Sequence, residues 1–318
     1  MERKYLVKKD PHDHRDFVYA APRLKALPPY VDLRGLMSPV FNQLNIGACL
    51  PSSIARGLRE HYMIANGQKY VPLATMYLYY KIRELEGTIN EDAGGYIRDG
   101  MKAATTIGIC PEALWPYITS KFTQKPPAEA DAAAVAYKLD SYYRVYGLTN
   151  IKTVLAEGKP VVMGIAIYTS FESQAVADTG VVPLPDKAKE EFLGGHAVLA
   201  VGYDDTKKRL IVRNSWGPEW GDKGYFYLSY DFVEDSNLVW DTWVGEYTAP
   251  VPTNPWDGIT VSEAIDYLTG LSFSDGQPVS DSPDFWKNLV AKYPEEGDSD
   301  FRYFGLFLRK LAAKMQGK

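Results

Sequence analysis

The chain is poor in cysteine, in histidine and in long apolar runs, and each shortage narrows what it can be. Only Cys49 and Cys110 occur in 318 residues, which excludes a disulfide framework and permits at most one bridge. No stretch approaches the ~18 consecutive apolar residues of a spanning helix. The opening MERKYLVKKDPHDHRD is charged and lacks the apolar core of a signal peptide. A cytoplasmic location is therefore expected, with export by another route as the alternative. Neither charge sign dominates: 35 Lys and Arg face 40 Asp and Glu, without a long run of either. That balance leaves no footprint for nucleic acid or an anionic membrane. Internal repeats and low-complexity tracts are also missing. What remains is 46% hydrophobic and 24% charged, enough to bury an ordinary globular core. A protein, peptide or small-molecule partner is expected.

Residues 1–29 are charged and broken by Pro11, Pro22, Pro28 and Pro29, so they read as an extended, unanchored arm, with the globular region starting near Val31. From Cys49 onward Leu50, Ile54, Leu58 and Tyr62 recur four apart, and Asn66-Gly67 supplies a stop. The pattern predicts an amphipathic helix with Cys49 at its N-terminal end. Helical patterning continues through VPLATMYLYYKIRELEG and YIRDGMKAATTIG, and KPPAEADAAA reads as a crossing between two halves. After about residue 140 the pattern changes to PVVMGIAIY, HAVLAVGY, RLIVRNSW and GYFYLSY, short β-rich runs separated by turns. Asp204–Lys208 between two of these runs predicts a hairpin whose paired residue numbers sum to about 410 to 412. That register sets His196 opposite residues 214–216. Beyond Pro250 a proline-rich linker leads to capping patterns at Thr260 and Ser282 and a seam of Phe301, Phe304, Leu308, Leu311 and Met315. This predicts a small helical appendage.

A thiol attacks as thiolate, and a helix N-terminus favours that anion. Cys49 is so placed and needs a histidine partner. His61 stands twelve residues along the same helix, ~18 Å away at ~1.5 Å per residue. His12 and His14 lie on the arm as two solvated histidines, so no metal site is called for. His196 remains, preceded by Gly194-Gly195, which let a substrate backbone approach. An amide oxygen from Asn214 can fix its tautomer. Trp216 can shield that bond from water. Gln43, six residues before Cys49, can donate an N–H to a tetrahedral oxyanion together with the backbone N–H of Cys49.

The strings NQLNIGACLPSS, GGHAVLAVGY and NSWGPEWGDKGYFYL resemble the cysteine, histidine and asparagine segments of the papain-like cysteine peptidase family. The resemblance covers roughly residues 30–248. It implies an α+β fold of two lobes, helical over about 30–125 and β-rich over about 135–248, with the active-site cleft between them and residues 249–318 as a linker and helical C-terminal extension. It also implies peptide-bond hydrolysis through a thioester acyl-enzyme on a protein or peptide substrate, with no cofactor. By the same match Gly94, Gly95 and Tyr96 form the strand-like loop that holds an extended substrate before the scissile bond. Gly195 and Trp216 join that surface, and Gly164 and Ile165 wall the pocket. Leu50 departs from the family's usual aromatic residue. Ile46 departs from a common disulfide cysteine, which argues against a secreted or lysosomal setting.

Taken singly, Cys49, His196 and Trp216 read as core residues, and only their joint order and spacing favours catalysis. Cys110 reads as a buried structural thiol. Fewer than 30 residues precede the globular start, too few for a folded inhibitory prodomain, so either the arm or the tail is a candidate cover for the cleft. Competing functions are transpeptidation through the same thioester, a silent peptide-binding module of the same fold, and another Cys-His amidohydrolase.

Overall fold

The computed structural model describes residues 3–20 and 26–248; the expected C-terminal helices lie outside them. The arm contributes β1 (Val7–Lys8), and β2 (Tyr30–Asp32) opens the globular part. The helix expected from Cys49 forms in three continuous pieces: α1 (Cys49–Ser52), a wider π-helical segment (Ser53–Arg59) and α2 (Glu60–Ala65). Its predicted seam of Leu50, Ile54, Leu58 and Tyr62 is buried throughout. Gly67, at φ 65°, ends it where the sequence placed the stop, and the amide of Gln68 donates back to Met63 O. Then follow α3 (Thr75–Glu86), β3 (Gly95–Tyr96), α4 (Ile97–Thr106) and α5 (Ala128–Ala134). The last lies in the segment read as a crossing, and its Ala130 and Ala134 pack with Tyr77 and Cys110.

The second half supplies β4 (Ser141–Arg144), α6 (Gly147–Ala156), β5 (Val161–Tyr168), α7 (Gln174–Thr179), β6 (Phe192–Asp204), β7 (Arg209–Arg213), β8 (Tyr225–Ser229), α8 (Tyr230–Glu234) and β9 (Val239–Glu246). They build one antiparallel sheet in the order β4-β9-β5-β6-β7-β8, with β2 added on β6. The β6–β7 register pairs Leu199 with Arg213 and Asp204 with Arg209, so paired numbers sum to 412 or 413, within a residue or so of the expected hairpin. β9 carried no clean alternation; its Asp241 sits at φ 48° and the β5–β9 register shifts beside it, a bulge that interrupts the period-two pattern.

The arm is anchored, contrary to its charged, proline-broken appearance. β1 pairs in parallel with β3, and Leu6 bridges Gly195. Farther on, the buried Asp10 carboxylate accepts from the Arg98 backbone N–H (3.1 Å), Arg144 Nη2 (3.2 Å) and Trp243 Nε1 (2.9 Å). Asp16 pairs with Arg98 (2.8 Å) and Arg144 (2.6 Å). An extended segment with no core of its own can be fixed by backbone pairing and charge-assisted bonds alone. Local sequence cannot foretell these, because every partner lies 80 or more residues away.

Candidate active site

Cys49 opens α1, where the first-turn amides are free of intrahelical partners. The loop before it is tied by Asp92, which accepts from the Gly47 N–H (2.9 Å) and from the Tyr79 hydroxyl. Sequence reasoning missed Asp92, an ordinary loop carboxylate until the fold brings it there. His196 stands on β6, four residues into the strand, and its Nε2 lies 2.9 Å from Asn214 Oδ1. The same oxygen accepts the Ser215 N–H at 2.8 Å, which fixes the amide's orientation and makes His196 Nε2 the protonated nitrogen. His196 Nδ1 has no hydrogen-bond partner and is buried. Trp216 lies over the imidazole, ring centroids 5.1 Å apart, within an aromatic cluster that includes Trp220 and Phe171.

Gln43 is held at both ends. Its backbone N–H donates to Ser215 O (2.9 Å), its Nε2 donates to Ile46 O (2.9 Å), and its Oε1 accepts from Ser215 Oγ (2.6 Å). An amide nitrogen carries two N–H groups, so one remains for an incoming oxyanion. His61, excluded on distance, is a buried structural residue whose nitrogens meet Leu36 O (3.2 Å) and Gly158 O (2.9 Å). His12 and His14 are exposed. Among the described residues no group of three or more His, Cys, Asp or Glu is placed to hold a metal ion, and no helix is long and apolar enough to cross a membrane.

Arg3 to Lys9 lies over these groups. The Tyr5 ring meets His196 edge-on at 5.9 Å, and the Arg3 guanidinium lies 3.8 Å from the Trp216 ring centre. The glycines expected to line the cleft are where the arm's backbone runs. A Cβ on Gly94, Gly194 or Gly195 would fall 2.2, 2.3 or 2.1 Å from the carbonyl oxygens of Leu6, Tyr5 and Val7. Leu6 Cδ1 packs against Gly47, and Lys4 pairs with Asp92 at 2.7 Å. Cys49 and His196 are both 0% exposed. Burial pushes the Cys49 thiol up to about 11, against the opposing pull of the Ala197 N–H on Sγ (3.4 Å). Burial likewise pushes the His196 imidazole down to about 4, opposed by its bond to Asn214 and assisted by the Arg3 charge. Under the arm, burial thus works against both the thiolate and the imidazolium, because neither ion is solvated.

Of the pocket residues, Gly164 pairs with Trp240 on β9, and a Cβ on Gly164 would fall 2.7 Å from the Trp240 indole nitrogen. That indole also borders Gly195. Trp240 was not foreseen, since β9 itself was not. Glu172, which receives Arg3 and the Tyr5 hydroxyl, was likewise illegible as a lone surface acid.

Residues 27–238 match the model of the papain family cysteine proteases. The chain is 38% identical over 228 residues to an uncharacterized peptidase C1-like protein of Acanthamoeba polyphaga mimivirus, covering 67% of this chain and 71% of that one. It is 32% identical over 223 residues to cathepsin K of Gallus gallus, covering 67% and 62%; the chain thus spans less than two thirds of several curated relatives. Among solved structures, xylellain, a cysteine protease from Xylella fastidiosa, superposes with a TM-score of 0.73 at 34% identity over 78% of this chain and 98% of its own. With its helical half, its antiparallel sheet and the Cys49, His196 and Asn214 segments in place, the chain belongs to the papain family of cysteine proteases.

Proposed function

We propose that the protein is a cysteine endopeptidase held latent by its own N-terminal arm. The catalytic reading rests on one observation above the others: His196 Nε2 bonds Asn214 Oδ1 at 2.9 Å while its Nδ1 stays unpartnered in the same buried site as the thiol at the head of α1. In the reaction, Cys49 Sγ transfers its proton to His196 and attacks the scissile carbonyl. The oxyanion receives N–H bonds from Gln43 Nε2 and the Cys49 backbone. His196 then protonates the departing amine, leaving a thioester. Water, deprotonated by His196, attacks that thioester, releasing a carboxylic acid and restoring the thiol. An amine in place of water gives transpeptidation with the same residues. Asn214 orients the imidazole, and Trp216 keeps water from their bond.

Latency follows from the arm's course. Val7 lies on β3, Tyr5 beside His196 and Arg3 over Trp216. By the family resemblance, a substrate's acyl half, N-terminal to the scissile bond, lies on Gly94-Gly95-Tyr96. The arm places its later residues there, so it crosses the cleft in the direction opposite to a substrate and occludes it without presenting a bond for cleavage.

Hydrolysis of a fluorogenic dipeptide library under reducing conditions tests both parts. The full chain is expected to be slow, the full chain carrying Leu6→Asp and Val7→Asp fast, and the same lifted chain with Cys49→Ala inactive. Equal turnover with and without the arm substitutions overturns latency. Absence of turnover in a lifted chain whose Cys49 is readily alkylated overturns the peptidase reading in favour of a silent binding module.

A further inference from the structure

We infer that Glu172 and Trp216 form a receptor for an arginine or lysine side chain on the leaving-group half of the substrate, an inference that rests on the peptidase reading above. The arm marks the two ends of the cleft in order. Val7 pairs with β3, Leu6 bridges Gly195, Tyr5 meets His196, and Arg3 reaches Trp216 and Glu172. If β3 holds the acyl half, the Trp216 end lies on the far side of the histidine, where the departing amine and the residues attached to it must go.

At that end the arm seats a cation. The Arg3 guanidinium stands 3.8 Å above the Trp216 ring and pairs with Glu172, whose other oxygen accepts from the Tyr5 hydroxyl. A guanidinium between an aromatic face and a carboxylate gains both quadrupole attraction and a charge-assisted hydrogen bond. The receptor is held by the peptidase domain. Glu172 ends the 3-10 turn Thr169–Glu172, and the preceding Phe171 packs edge-on against Trp216 at 5.6 Å. Carboxylate and indole are therefore presented as one unit.

Among the described residues Arg3 is the one ion-pair partner of Glu172. Once the arm lifts, the domain is left with an uncompensated, partly shielded carboxylate beside an aromatic face and next to the catalytic histidine. Such a site favours a basic side chain and disfavours an acidic one. Arg3 thus occupies in the latent chain the position that a basic substrate residue takes in the open one.

The test uses the full chain carrying Leu6→Asp and Val7→Asp and internally quenched peptides that differ only in the residues after the scissile bond. Arginine or lysine there should raise kcat/KM about tenfold over alanine, and glutamate should lower it. Glu172→Gln should abolish the preference, and Glu172→Lys should turn it toward glutamate. Turnover of a small fluorogenic amide, which has no residues on that side, serves as the reference by which each variant's peptide rates are divided. Turnover of all peptides without a basic preference, or a preference that survives Glu172→Lys, overturns the receptor while leaving the peptidase reading intact. Failure to cleave any peptide or amide overturns both.

Discussion

Cys49 and Cys110 are both fully buried, and burial raises both thiols, to about 11 and about 12. What covers them differs. Cys110 is packed among Ala74, Tyr77, Ala130 and Ala134, side chains of its own helical half, and its backbone carbonyl accepts from the Ala74 N–H at 2.8 Å. Cys49 lies at the start of a helix under a two-residue strand and its flanks, a segment attached by backbone pairing and a few ion pairs. Equal burial thus accompanies core packing at Cys110 and, at Cys49, a position beside the docked arm, which is the cover in the latency proposed above. Static exposure cannot tell them apart; the number of interactions that must break to expose each does.

The largest expected contrast is catalytic. In the lifted chain, Cys49→Ala should lower kcat/KM for a peptide amide by at least about 10⁴-fold. Cys110→Ala should leave it within about twofold, because a small buried residue away from the reacting atoms changes stability rather than chemistry. Assay of both variants on one fluorogenic substrate checks this, and comparable losses would erase the distinction.

The second contrast is reactivity. Lifting the arm with Leu6→Asp and Val7→Asp should accelerate iodoacetamide labelling of Cys49 by on the order of 10³-fold, as thiol and imidazole regain solvent and can exchange a proton. Cys110 should show no change. Peptide mapping by mass spectrometry reads both rates in a single sample.

The third prediction concerns pH and the arm's anchor. Burial, and then the charge of Asp241, push Asp10 up to about 6. A carboxyl with a raised pKa in the docked state favours docking when protonated, so this contribution is full at low pH and fades as pH rises through about 6. His196 acts in the opposite sense: its depressed pKa of about 4 in the covered state means that acid between its ordinary value and about 4 loosens the cover. Asp16, held ionised by Arg98 and Arg144 against its burial, also loosens in acid, but only below the ordinary carboxylate range. Asp10→Asn should therefore leave the histidine effect unopposed. Arm protection, measured by hydrogen exchange corrected for intrinsic rates, should then fall more steeply from pH 7 to pH 5 than in the unmodified chain, by about tenfold.

The smallest effect is on stability. Cys110→Ala should cost about 1 kcal/mol in denaturant unfolding, the loss of one buried sulfur from a close-packed cluster. Cys49→Ala should cost less, since the arm can settle over a smaller side chain.

The helix from Cys49, the β5, β6, β7 and β8 runs and the hairpin that brings Asn214 to His196 were legible because their signals are local: a four-residue seam, apolar runs and a turn of five polar residues. The pairing of His196 with Asn214 followed from register alone. β9 was not legible, since its alternation breaks at Asp241, and with it went Trp240. Asp92 and Glu172 look like any surface acid until the chain folds around them. By sequence the arm is extended and unanchored; in the fold its charges find partners on β4, α4 and β9, which no local pattern connects to it.

The sequence by itself determined the family, because the cysteine, histidine and asparagine segments stand in fixed order and spacing, and the chemistry proposed for them rests on their residue types. The tertiary structure alone decided whether that chemistry is accessible. Accessibility depends on where a segment with no core of its own comes to rest, and that is set by long-range pairing with β3 and by buried ions at Asp10 and Asp16, interactions that exist only once both partners are already in place.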